Sequence, residues 1–394
     1  MIAILHRVLG EGFRAFFLGA GAFALLAVAV WEGILILRAS GDTPEPFNMP
    51  AMMWHAHEMI YGYAAAAIAG FLMTAVPNWT GSGPVKRPFI TLAFGVWLLA
   101  RLMFLMPQGL PLLALAAVDL AFIPILMGKL LSQLLKRPKP QNVVFLLFLA
   151  ILWSGNLLIH LQWAGWTSGS FNPGIRIGIL ALAIMIGVIG GRVIPAFTRN
   201  AMQRGEIEAG APVSRRWAEI TGIVILVALP FLVVIDLRAA GVAAILAGLV
   251  QLIRMSGWRS LWTLTRPILW ALHLPFALLA LGLILLGFAW LGLGSEVAAI
   301  HFLAIGGVTG MTVAVMSRAI LGHSGRPLIA SPPLVVTYAM VPLAAFLRLL
   351  AAYLPKLETE LVLISGGLWL LAFLLFLVAL WPALTQPRPG REAS

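Results

Sequence analysis

The chain has 394 residues, of which 61% are hydrophobic and only 10% charged, with a mean hydropathy of +1.00. A soluble core cannot use that much apolar surface, whereas a polytopic membrane protein can. The formal charge of +12 falls in short loops, where it sets topology rather than binding nucleic acid. The absence of cysteine excludes disulfides, thiolate ligands, iron–sulfur clusters and CxxCH haem attachment, leaving His, Met, Glu and Asp to hold any metal.

The apolar run near 15–37 is too long for a signal-peptide core and no clear cleavage site follows it, so it reads as a retained first helix. In chain order, twelve segments are predicted to span, at 14–38, 52–76, 88–106, 110–130, 142–164, 174–197, 217–235, 239–256, 267–291, 296–320, 332–353 and 360–382. The connections are short. The fold class is therefore all-α, a polytopic membrane helix bundle forming one integral domain over 1–394.

With the N-terminus cytoplasmic, the outer side carries Arg38, Arg101, Arg176, Arg238, Arg348 and Lys356, six of the 26 basic residues. The rest lie on the inner side, including KRPK at 136–139, Arg215, Arg216, Arg254, Arg259 and Arg266. This asymmetry predicts N-in and C-in. His55, His57, Glu58, His160 and His301 then lie toward the outer face, Arg192, His273, Arg318 and His323 toward the inner face, and Asp119 nearer mid-membrane. The inner ends of the second, sixth and tenth helices read TAVPNWTGSG, RVIPAFTRNA and SRAILGHSGRP, the trace of a threefold repeat of four-helix units.

The second helix begins WHAHEM, at 54–59. At 100° per residue His55 and His57 point about 200° apart, so a regular helix cannot aim both at one ion. His55 shares a face with Met52 and Glu58, His57 with Met53 and Tyr61. Two imidazoles and a carboxylate beside Met49, Met52 and Met53 point to a metal or haem site; the alternative is a hydrated helix N-terminus. His301 lies at the depth of His57, and Gly306, Gly307 and Gly310 follow it. Small residues there allow either close helix packing or a flat macrocycle, and a b-type haem needs only axial ligands and an apolar slot. His160 could complete a separate metal site or be an interfacial histidine. Arg192, in GGRVIPAFTRN, needs a partner such as a haem propionate, a lipid phosphate or Asp119, or else snorkels to the interface. Arg318 sits with His323 and Arg326 at the inner surface, where topogenic charge is the alternative. There is no P-loop, no GxGxxG after a strand and no Ser-His-Asp spacing.

The stretches GFRAFFL (12–18), WHAHEM with GFLMTAVPNWTG (54–81), GGRVIPAFTRN (190–200) and HFLAIGGVTGMTVAVMSRAILGHSGRP (301–327) resemble the NnrS family of bacterial membrane proteins. GFRAFFL departs from the pattern in having Ala15 where a proline is expected. The resemblance implies a multi-pass protein of the bacterial cytoplasmic (inner) membrane, with haem and copper, linked to nitric oxide and nitrosative stress. A weaker architectural similarity is to the catalytic subunits of haem–copper oxidases and nitric oxide reductases, which hold a low-spin haem on helices two and ten. Those enzymes also use histidines on helices six and seven, and this chain has none in 174–235.

The resulting expectation is a haem b held by His57 (or His55) and His301, with Arg192 and Arg318 as further cofactor contacts. A second metal, copper or iron, would use His55, His160 and Met52, with Glu58 as proton carrier. Nitric oxide would be bound or turned over, with an unassigned electron donor and no nucleic-acid partner. The competing classes are a metal or small-molecule transporter and a non-catalytic sensor or assembly factor.

Overall fold

A computed structural model describes residues 2–389 apart from 48, 107–108, 168–172, 206 and 208–209. All regular structure among the described residues is helical. Twelve helices are long and apolar enough to cross a membrane. They are α1 (Gly12–Ala39), α2 (Ala51–Thr80), α3 (Arg87–Leu105), α4 (Leu112–Leu134), α5 (Pro140–Trp163) and α6 (Pro173–Arg204), then α7 (Arg216–Ile235), α8 (Leu237–Met255), α9 (Pro267–Trp290), α10 (Glu296–His323), α11 (Pro332–Ala351) and α12 (Glu358–Thr385). Each covers one predicted span. Helices satisfy every backbone group internally, which a hydrocarbon environment demands. Large apolar side chains such as Leu113, Val224, Ile235 and Val378 stand exposed on their outer faces, as lipid contact requires.

Two compact units are distinguished by their internal contacts. The first comprises residues 1–178, 316–328 and 373–394. Here α1 and α2 run antiparallel in a fixed register. A Cβ on Gly12 would lie 2.8 Å from Met73 Cβ, and one on Gly70 2.7 Å from Phe17. Further along, Trp31 stacks on His55 with ring centroids 4.5 Å apart. Phe16 stacks on Phe122 of α4 at 5.8 Å. Arg14 is buried because it caps the end of α12: its Nη1 donates to the carbonyls of Ala383 (2.9 Å), Leu384 (2.8 Å) and Gln386 (3.1 Å). Its Nε pairs with Glu11 at 2.5 Å, and Glu11 also meets Arg388. The basic residue of GFRAFFL is thus a helix cap that satisfies orphan carbonyls.

The second unit comprises residues 179–315 and 329–372. Its helices pack through small residues, as expected where lipid removes the hydrophobic drive between helices. A Cβ on Gly241 (α8) would lie 2.9 Å from the Gly287 carbonyl oxygen (α9). Gly282 likewise meets Leu303, and Gly307 meets the Leu279 backbone. Gly306 and Gly310 abut Leu278 and Pro275. The glycines after His301 therefore serve close packing of α10 on α9, and the expected macrocycle slot beside them is filled by side chains.

Two helices depart from α geometry in the same way. In α2 a π-helical segment, Glu58–Ala64, begins immediately after His57. In α10 another, Phe302–Thr309, begins immediately after His301. No such segment interrupts α6, so the threefold pattern extends to two of its three members in this respect. π-segments interrupt the normal hydrogen-bond ladder and recur at functional sites.

Candidate metal centre

The centre lies within the first unit. Its base is the α-to-π junction of α2. Widening the helix changes which carbonyls find intrahelical donors, and Trp97 of α3 supplies one from outside: its Nε1 donates to the Gly62 carbonyl at 2.9 Å. Gly62 also clears the path for Arg101, since a Cβ there would lie 3.0 Å from Arg101 Nη1 and 2.5 Å from Phe23.

Arg101 enters the site buried. Its Nη1 donates to Glu58 Oε1 at 2.6 Å, and its Nη2 pairs with Asp119 Oδ1 of α4. Asp119 Oδ2 accepts from Asn156 Nδ2 (2.8 Å) and lies 2.9 Å from His160 Nε2 and 3.1 Å from His57 Nε2. Asn156 and His160 stand four residues apart on α5, one turn above each other on the same face. His57 Nε2 also lies 2.9 Å from Asn156 Oδ1, and its Nδ1 lies 2.8 Å from Glu58 Oε1. Both ring nitrogens of His57 thus face oxygen acceptors. The apolar walls are Tyr61 and Phe104, with ring centroids 5.1 and 4.6 Å from that of His57, and Trp163 at 6.0 Å from His160.

His57, Asp119 and His160 each offer one ligand atom, and these atoms lie within 4.8 Å of one another. A tetrahedral ion with bonds of about 2.0–2.1 Å holds its ligand atoms roughly 3.3 Å apart, so the Asp119 contacts to His57 and His160, at 3.1 and 2.9 Å, need to open by only a few tenths of an ångström to admit one. The donors suit such an ion. Glu58 Oε2 is buried with no hydrogen-bond partner, a state that normally calls for an ion, a water or a proton nearby. Two imidazoles and a carboxylate suit copper(II), zinc or iron rather than calcium or magnesium.

The geometry redistributes the sequence expectations. His57, Glu58 and His160 come together as candidates. His55 does not join them: its ring lies on Trp31, and Glu58 bonds His57 instead of sharing a site with His55. His55 and His57, both in the α-helical stretch Ala51–His57, do diverge as the helical angle predicts; only the placing of Glu58 with His55 fails, at the residue where the helix leaves α geometry. Met52 is 65% exposed and outside the cluster. Arg192 and His301 belong to the second unit and Arg318 to the first. His301 Nδ1 donates to the Val297 carbonyl at 2.7 Å. Asp119, expected as one partner for Arg192, has its oxygens on Arg101, Asn156, His57 and His160. His273 is held between Thr198 (3.0 Å) and Ser260 (2.9 Å), and His323 packs on Phe13 at 5.6 Å.

Sequence reasoning missed Asp119 as a donor, placing it only near mid-membrane, and missed Arg101, counted among the outer charges, and Asn156. Arg101 carried a usable signal, since it lies inside the apolar run 88–106. Asn156 carried little, because a lone amide in an apolar helix is common as a packing contact.

Twelve helices among the described residues that are long and apolar enough to cross a membrane, with a buried His/Asp/His group in the first unit, define a multi-pass membrane protein with a candidate metal site. The family model described as NnrS protein matches residues 7–388, nearly the whole chain, and the chain belongs to the NnrS family. No curated protein matches the sequence.

Proposed function

We propose that this protein is a copper-dependent component of nitric oxide metabolism or nitrosative-stress tolerance in the bacterial inner membrane. The carrying observation is the convergence of His57, Asp119 and His160 inside an otherwise apolar bundle, where unpaired polar groups are too costly to be incidental. A copper ion bound there would supply a redox-active site for a small diatomic ligand. The chain's own groups hold the donors in place. Arg101 fixes Asp119 and Glu58, Asn156 orients both Asp119 and His57, and the Phe104, Tyr61 and Trp163 rings limit access by water. Glu58 would hold a proton on its unpartnered Oε2 while its Oε1 keeps the Nδ1–H tautomer of His57, which leaves Nε2 free for a metal. The reaction class is binding or reduction of nitric oxide, which consumes protons and needs an external electron donor. N-in, C-in topology puts this centre toward the outer face.

Metal analysis and electron paramagnetic resonance of the purified protein test the reading. One copper per chain, lost in His57→Ala and in His160→Ala, is the expected result; stoichiometric metal surviving both changes overturns the centre. Metal flux into proteoliposomes without nitric oxide consumption would favour transport.

A haem is a second reading; it rests on the Nδ1 bond of His301 to a backbone carbonyl, the arrangement that orients a ligating histidine, and needs a face other than the glycine face that Leu278, Leu279 and Pro275 fill. Arg192, in the same unit, is its proposed contact. A Soret band abolished in His301→Ala supports it; no Soret band in the wild type removes it.

A further inference from the structure

Asn156 is only 1% exposed, and its neighbours fix which way its amide points. Asp119 is paired with Arg101, so its Oδ2 can only accept, and Asn156 Nδ2 donates to it at 2.8 Å. That turns Asn156 Oδ1 toward His57 Nε2, 2.9 Å away. On the far side of the imidazole, Nδ1 donates to Glu58 Oε1 at 2.8 Å, an oxygen that also accepts from Arg101. With the ring proton on Nδ1, Nε2 presents a lone pair to Asn156 Oδ1 and to Asp119 Oδ2, at 3.1 Å. Both of those atoms present lone pairs in return. Three lone pairs turned on one another inside an apolar bundle repel, and a cation among them turns the repulsion into attraction.

The fold holds the amide in this place. Trp153 Nε1 donates to the Leu120 carbonyl at 2.9 Å, which pins α5 against α4 one residue past Asp119. Asn156 follows Trp153 by three residues and precedes His160 by four, so the three lie along one side of α5. The same helix therefore aims an imidazole and an amide oxygen at Asp119 and His57. The hydrogen bond from Nδ2 to Asp119 does not use Oδ1. Asn156 can thus give or withdraw its oxygen while it stays tethered to Asp119.

We infer that Asn156 Oδ1 is the exchangeable fourth ligand of the copper centre, beside His57 Nε2, His160 Nε2 and Asp119 Oδ2, and marks the position that a small ligand enters; this rests on the copper reading given above. An amide oxygen is neutral and is the weakest donor of the four, and catalytic metal sites keep one replaceable position after three firm protein ligands. The test loads detergent-purified protein with copper(II) and titrates azide, a small anion whose binding to copper(II) gives a charge-transfer band. In wild type grown with isotope-labelled asparagine, electron–nuclear double resonance should show a coupling of copper to the labelled amide that azide abolishes. Asn156→Asp puts an anionic oxygen in place of the neutral one and should keep the copper while weakening azide at least about tenfold. Asn156→Leu removes the competing oxygen and should strengthen azide several-fold, with copper held less tightly. A residue that only orients His57 and Asp119 would not move azide in opposite directions. Bound copper with no coupling to the labelled amide overturns the inference and leaves the centre standing. So does azide affinity that is unchanged in whichever variant accumulates, or shifted the same way in both. Wild type that binds no copper overturns the centre itself.

Discussion

Replacing Arg101 by methionine tests the architecture of the metal centre most directly. The change keeps an unbranched apolar stem and removes the guanidinium that pairs with Glu58 Oε1 at 2.6 Å and with Asp119 Oδ1. Both carboxylates are buried, so neither can recover hydration. Removing one partner of a buried ion pair costs about 3–5 kcal/mol, chiefly as the penalty on the charge left behind. Here two carboxylates lose their shared cation. The imidazole on Glu58 and the three donors on Asp119 soften the loss, which holds the expectation to that range. At about 1–2 °C per kcal/mol for a chain of this length, the apparent melting temperature in detergent should fall by on the order of 5 °C. Glu58→Gln placed on top of Arg101→Met removes one stranded charge and should return part of the loss, a coupling of about 1 kcal/mol or more. A topogenic arginine would behave otherwise: neutralisation would shift melting by under about 2 °C and leave Glu58→Gln without effect in that background. That pattern would refute the ion-pair reasoning.

Other outcomes follow from the same geometry. Glu58→Gln alone should keep near-normal metal content while abolishing nitric oxide consumption by membranes; lost metal with unchanged turnover per remaining ion would make Glu58 a ligand or structural carboxylate instead. His55→Ala should retain metal that His57→Ala loses, measured by elemental analysis, because His55 stacks on Trp31 outside the cluster. Gly155→Ala should displace Tyr61, whose hydroxyl lies 2.5 Å from the added Cβ, and so perturb the His57 environment in the metal's spectrum; an unaltered spectrum would show that Tyr61 gives way freely. Reporter fusions after Ser394 and within 165–175 should report opposite sides of the membrane, with the former cytoplasmic; residues 168–172 and 390–394 lie outside those described.

Some of this was readable from composition alone. Each of the twelve helices is a long apolar run, and length and hydropathy are properties of a single segment. The centre is a property of four segments at once. His57, Glu58 and His160 stood out because ionisable groups are conspicuous in apolar sequence. Arg101 lies within an equally apolar run, yet near a helix end it resembles the basic residues that mark loops. The divergence of His55 and His57 was legible, but Glu58 was assigned to the wrong histidine for a local reason: 100° per residue holds only through His57, and nothing in EMIYGYA announces a π-helical segment. The glycines after His301 were read as two alternatives, and only the positions of Leu278, Leu279 and Pro275 decide for close packing.

The cap that Arg14 places on the end of α12 links α1 to a helix whose Ala383 carbonyl is made 369 residues later. A ribosome extends a chain at about 5–20 residues per second, so tens of seconds separate the two partners. Throughout that interval the guanidinium lacks the Ala383, Leu384 and Gln386 carbonyls, and Gly21 lacks Phe376 and Leu377. The unit that houses the candidate donors is therefore completed only once α12 has been made, although every donor is made within the first 160 residues. A chain stopped before α12 would hold all of those donors inside an unfinished unit.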